Sequence, residues 1–149
     1  MLNMGGMDIV TWGERYTTGI AQIDSQHMEL VSLTNKLFHA CLDGKQNVDS
    51  VFEEAMHRLV EYVRYHFSEE QTLLERINFP KYRDHKKEHD SLVRDILEMA
   101  REYSSGKKYV PNHLVRALKD WVFGHIAVSD QDFSNFVRDQ KKKGLLCDL

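Results

Sequence analysis

Four stretches of this chain carry interior-type positions at alternating intervals of 4 and 3, and each stretch gives one or more of those positions to a histidine or a carboxylate. The first reads Ile23, His27, Leu30, Thr34, Leu37, Cys41. The second reads Phe52, Met56, Leu59, Val63, His66, Glu70, Leu73, Ile77. The third reads Tyr82, His85, His89, Leu92, Ile96, Met99, Tyr103. The fourth carries Leu114, Leu118, Trp121, His125 and then Phe133 and Val137, with Asp130 between. Intervals of 3 and 4 describe one face of an α-helix, and no strand alternation competes with them. The breaks between the stretches, "DGKQNVD", "NFP" and "SSGKKYVPN", are short, so successive helices must run antiparallel. The spacing therefore predicts an all-α fold, an up-down-up-down antiparallel four-helix bundle.

Finer expectations follow from local chemistry. Ser50-x-x-Glu53 has the form of a capping box for the second helix, and Pro111 suits the first turn of the fourth. Residues 1–149 are read as one domain: an arm over 1–19, the bundle over 20–137 and a tail over 138–149. Trp12 and Tyr16 suggest that the arm packs on the bundle. A formal charge of −3, with no basic run longer than "KKK" at 141–143, argues against nucleic acid as a partner. The first ten residues lack a secretory pattern and no segment has the length of a membrane span, so a cytoplasmic location is expected. Cys41 and Cys147 are then expected to stay reduced, as a semi-buried thiol and a tail thiol.

The polar seam residues carry the chemistry. A lone interior histidine is usually a core residue with a partner, but here five histidines, one Glu and one Asp converge with no seam Lys or Arg to offset them. An uncompensated interior charge is costly, so the set calls for a cation. Depth agrees with this. His27 is early in an ascending helix, His66 and Glu70 late in a descending one, His85 and His89 early in the next, and His125 and Asp130 in the second half of the last. His39, His57 and His113 fall at other depths and read as surface or capping residues.

Two metal motifs compete. His85-Lys86-Lys87-Glu88-His89 fits H-x-x-E-H, an inverted zinc-peptidase pattern, but that reading leaves the other seam ligands unexplained and has Glu88 pointing away from the seam. Glu54-x-x-His57 matches half of a carboxylate-bridged di-iron motif, but it has no second copy and sits at the wrong depth.

The ordered set His27; His66-x-x-x-Glu70; His85-x-x-x-His89; His125-x-x-x-x-Asp130 resembles the full hemerythrin signature. "TWGERYTTGIAQIDSQHMEL" and "WVFGHIAVSD" are similar to the first and last helical segments of bacterial hemerythrins. The resemblance runs from about Val10 to Phe136. It implies a non-haem di-iron centre with a bridging oxo or hydroxo oxygen, binding O2 reversibly. By carry-over, His85, His89 and His125 would hold one iron, His27 and His66 the other, and Glu70 and Asp130 would bridge them. Two octahedral irons offer twelve positions; five histidines, two bridging carboxylates and one bridging oxygen fill eleven. The open one falls on the iron with two histidines. Leu30, Phe67, Trp121 and Ile126 are the candidate O2-pocket residues.

The resulting expectation is a non-enzymatic O2 protein for transport, storage or delivery, monomeric, with an O2-consuming protein as the class of recipient. The alternative is a sensor or redox module answering to O2, NO or peroxide at the same centre. A fused signalling domain would favour it, and this sequence carries none.

Overall fold

The computed structural model describes residues 7–43 and 48–145. Its core is four helical rods. The first rod is α1 (Ala21–Asp43). The second is α2 (Val48–Tyr62), a π-helical segment Val63–Phe67, and α3 (Ser68–Arg76). The third is α4 (Tyr82–Ser104). The fourth is α5 (Val110–Trp121), a π-helical segment Val122–Ser129, and α6 (Asp130–Lys142). α1 packs on α2 and α5, and α4 packs on α3 and α5, which closes a four-helix bundle. No described helix is long and apolar enough to cross a membrane.

The turns explain why the rods stop where they do. After α3, Asn78 takes a positive φ of 56°. That lets the Asn78 and Phe79 amides donate to the Glu75 and Leu74 carbonyls at 3.1 and 3.0 Å. This pair of bonds satisfies carbonyls a helix end would otherwise leave bare, and asparagine tolerates the left-handed conformation it requires. Gly106 plays the same part after α4, with φ 91° and amide bonds from Gly106 to Tyr103 and from Lys107 to Glu102. Pro111 lies in the first turn of α5 as expected. Ser50 does not cap the second rod: the helix already includes Val48, which places Ser50 inside its first turn. The fourth rod also outruns its expected end at Val137 and continues to Lys142. Cys147 lies outside the described residues.

The described part of the arm is fastened to two rods. The Asn35 carboxamide accepts from the Ile9 and Val10 amides at 3.1 and 3.0 Å and donates to the Val10 carbonyl at 2.8 Å. It does for the arm what a neighbouring strand would do. Val10 and Tyr16 are buried, and the Tyr16 ring lies 6.5 Å from that of Phe123 with the Arg15 guanidinium over both. Closer to α1, Ser134 and Gln131 donate to the carbonyls of Thr18 and Thr17. Thr18 in turn donates through N–H and O–H to the Asp24 carboxylate.

Two apolar clusters make up the core. The larger includes Leu30, Leu37, Phe52, Leu59, Leu92 and Leu118. The smaller holds Ile23, Leu74, Ile77, Phe79, Phe133 and Val137. On every rod the seam histidines and carboxylates fall between residues of the two clusters, so a polar layer crosses the bundle between them.

Candidate metal centre

The π-helical segments set the site's register. In a π turn the amide bonds to the carbonyl five residues back, and the Asp130 N–H donates to the His125 carbonyl in this way. A five-residue step on one face is what His125 and Asp130 need to point the same way. In the second rod, His66 and Phe67 lie within the π segment. The extra residue it accommodates advances the buried phase beyond it. Leu74 is therefore fully buried, while Leu73, the seam position expected from strict 3/4 spacing, is only half-buried.

All seven polar seam residues meet. Glu70, His85, His89 and His125 form one group of ligand atoms within 4.8 Å of one another, and His27, His66, Glu70 and Asp130 form a second. Each is at most 3% exposed. The carboxylates straddle the groups. Glu70 turns Oε1 to His85 and to His89 (3.2 Å), and Oε2 to His66 (3.2 Å) and His27 (3.9 Å). Asp130 turns Oδ1 to His85 (3.0 Å) and His125 (3.3 Å), and Oδ2 to His27 (3.1 Å). Nε2 of His27 faces Nε2 of His66 at 3.1 Å, and Nε2 of His89 faces that of His125 at 3.1 Å.

These spacings fit ions. Two ligands about 2.1 Å from one metal and at right angles stand about 3.0 Å apart. Glu70 Oε2 and both Asp130 oxygens are buried without a hydrogen-bond donor. Orphaned carboxylate oxygens of this kind are expensive unless a cation faces them. Imidazole and carboxylate without thiolate suit iron among the divalent metals.

Burial and the facing groups shift the titrations of the cluster in opposing directions. Burial opposes ionisation of Glu70, but the imidazoles of His125, His66, His85 and His89 turned toward it hold its carboxyl well below the usual range. Burial and the Glu70 charge likewise push Asp130 up, and His125 and His27 outweigh them, leaving it low. Burial would lower His85, yet Asp130 and Glu70 raise it to about 9. His125 is raised for the same reasons, while burial dominates at His89 and lowers it to about 4.

The outer face of the histidines was less legible. His125 Nδ1–H donates to Glu88 Oε1 at 2.8 Å, and Ser129 Oγ–H donates to both Glu88 oxygens. Glu88, read from sequence as pointing away, thus turns to a seam histidine across the helix pair. His66 Nδ1 pairs with Gln26 Oε1, while the Gln71 Nε2 amide group faces His89 Nδ1 at 3.0 Å. At His125 and His66 the acceptor at Nδ1 holds the proton there and leaves the Nε2 lone pair aimed inward. Adjacency was the available signal: Gln26 precedes His27, Gln71 follows Glu70, and Glu88 precedes His89.

Leu30, Phe67, Trp121 and Ile126 are all buried in the larger cluster. Phe67 stacks flat on His89, with centroids 3.8 Å apart, and Trp121 on His125 at 3.9 Å. Tyr62 was missed from sequence; its ring stacks on His66 at 4.7 Å. Burial, then the charges of Glu70 and Asp130, push its phenol well above the ordinary range, so it keeps its proton. His39 pairs with Asp8 at 2.7 Å, and His57 and His113 are exposed, all outside the cluster. Cys41 is half-buried and burial raises its thiol.

A family model described as "Hemerythrin HHE cation binding domain" matches residues 18–137. The chain belongs to the hemerythrin family. Among its relatives, a bacteriohemerythrin of Pseudomonas aeruginosa is 33% identical over 129 residues, covering 87% of this chain and 82% of the relative. A bacteriohemerythrin of Methylococcus capsulatus is 27% identical over 126 residues, covering 84% and 94%. A hemerythrin crystal structure superposes with a TM-score of 0.75 at 25% identity, covering 87% of this chain and 98% of that one. As a hemerythrin-family chain with this buried His/Glu/Asp cluster, it is a metal-binding protein of O2-related type.

Proposed function

We propose that this hemerythrin-family chain holds two iron ions and binds O2 reversibly, as a store, carrier or delivery protein. The observation that carries the reading is the straddling of both carboxylates, each giving one oxygen to each histidine group. Glu70, His85, His89 and His125 would hold one ion, and His27, His66, Glu70 and Asp130 the other, with Asp130 reaching the first through Oδ1. Reduced iron, when bound, supplies the electrons that O2 accepts on binding and returns on release.

The chain's own residues do the rest. Glu88 and Gln26 orient the imidazoles of His125 and His66 from outside, fixing the nitrogen that faces inward. Phe67, Trp121 and Ile126 keep bulk water away from the histidines they cover. Five neutral imidazoles against two carboxylates make a ligand set poor in negative charge, which favours binding over turnover.

The test joins elemental analysis of protein expressed with ample iron to a visible spectrum of reduced protein through cycles of air and degassing. Two irons per chain and a band that comes and goes are expected. One iron, or zinc under those conditions, would sink the di-iron assignment. A band that forms once and decays irreversibly would replace storage with redox turnover.

A further inference from the structure

The hemerythrin ligand set leaves two buried polar groups beside it unexplained. Tyr62 Oη and Trp121 Nε1 are both enclosed side-chain atoms without a hydrogen-bond partner. They are not scattered. The Trp121 indole N–H faces the Tyr62 phenol without closing a hydrogen bond. The two rings lean on opposite halves of the centre: Tyr62 on His66, in the group with His27 and Asp130, and Trp121 on His125, in the group with His85 and His89. Phe67 lies between them, 5.6 Å from each ring.

An orphaned donor in an apolar interior costs roughly 1–3 kcal/mol, and aromatic residues with polar atoms ordinarily find a partner when buried. Phenylalanine at either position would keep the stacking without that cost. The Trp121 N–H can close on the phenol oxygen with a small shift. The phenol's own proton would still lack an acceptor, because the nearest anions, Glu70 and Asp130, turn their oxygens to the histidines.

We propose that Tyr62, supported by Trp121, donates a hydrogen bond to the outer atom of a small ligand of two or three atoms bound at the metal centre. Tyr62 is the positioning residue that selects ligands with a lone pair on that outer atom, O2 among neutral molecules and azide among anions. This inference rests on the iron-binding reading above. It changes the pocket from a purely apolar enclosure into one with a directed donor.

The experiment uses the full iron-loaded chain, oxidised, with sodium azide as the probe. Iron content is measured first for the parent chain, Tyr62→Phe and Trp121→Phe. Azide affinity is then read from its visible absorption band, and the azide infrared stretch is compared in H2O and D2O. Tyr62→Phe is expected to keep both irons, to weaken azide about 3- to 10-fold, and to abolish the solvent-isotope shift of the stretch. Trp121→Phe should weaken azide less and leave the isotope shift in place. Unchanged affinity and an unchanged isotope shift in Tyr62→Phe would overturn the proposal. So would a parent chain whose azide stretch is already insensitive to D2O, a result that holds even if Tyr62→Phe fails to fold. A parent chain without iron would instead remove the di-iron reading, and this inference with it.

Discussion

Glu88 shows how one residue can be misread from its neighbours. Its place between His85 and His89 suggests a peptidase motif, and its helical phase puts it off the seam. Its side chain nevertheless bridges to another rod and accepts a hydrogen bond from His125 Nδ1–H. Carboxylates in this position raise ligand basicity and fix ring orientation, and losing one typically costs about 10- to 100-fold in metal affinity. Glu88→Ala is therefore expected to lower iron affinity by that range while leaving helicity intact, as read by competition with a chelator and by far-UV dichroism. Glu88→Gln, which keeps an acceptor oxygen, should retain most of the affinity. Equal affinity in parent and alanine variant would reduce Glu88 to a surface contact. The seven seam residues themselves were legible because buried His, Glu and Asp are rare enough for their coincidence to carry meaning. Tyr62 was not, because a tyrosine one turn before His66 reads as ordinary core packing until its hydroxyl is found without a partner.

At the level of the elements, strict 3/4 periodicity foretold four rods and their turns but not the two π-helical segments. Nothing in side-chain type announces a π turn. The one available trace was the five-residue step from His125 to Asp130, which an ideal α-helix would place on diverging faces. The same effect moved burial from Leu73 to Leu74. It follows that the π segment of the fourth rod can be removed by a one-residue deletion. Deleting Val128, which is 56% exposed, would let Val122–Ser129 relax to α-helical winding. The four-residue step that remains advances about 400°, so His125 and Asp130 stay on one face and α6 keeps its register, with Phe133 still in the smaller cluster. The expected outcome is a helical protein that keeps its iron content and its melting temperature. Loss of iron in this variant would show that the local geometry of the π segment, beyond the register it sets, places Asp130.

For the whole molecule, the balance of charge in the polar layer decides stability. The fold raises His85 from 6.5 to about 9, so in the metal-free chain it favours the protonated form. That contribution is fully present below pH 6.5 and drains away as pH rises to about 9. His125 shifts in the same direction. On the acid side, His89 is lowered to about 4, so stability falls as pH drops from 6.5 toward 4, and Glu70 and Asp130, held low, lose their contributions only as pH falls below their ordinary values of 4.5 and 3.8. The metal-free protein should therefore melt highest near pH 6.5 and progressively lower toward pH 9. The iron-loaded chain should show no such alkaline decline, because the metal replaces the protons that are lost. Stripping a buried partner from the carboxylates costs about 3–5 kcal/mol where nothing replaces it, so the gap between the two forms should widen with pH. Scanning calorimetry of both forms from pH 6 to 9 checks this, and parallel curves would refute it. The polar layer has a further consequence, because it separates two apolar clusters of unequal size. Cooperativity across such a boundary depends on what fills it. With ions in place the bundle is expected to unfold as one unit; without them the smaller end, around Phe79 and Phe133, is expected to lose its amide protection before the larger cluster does, which hydrogen exchange of the two forms would read.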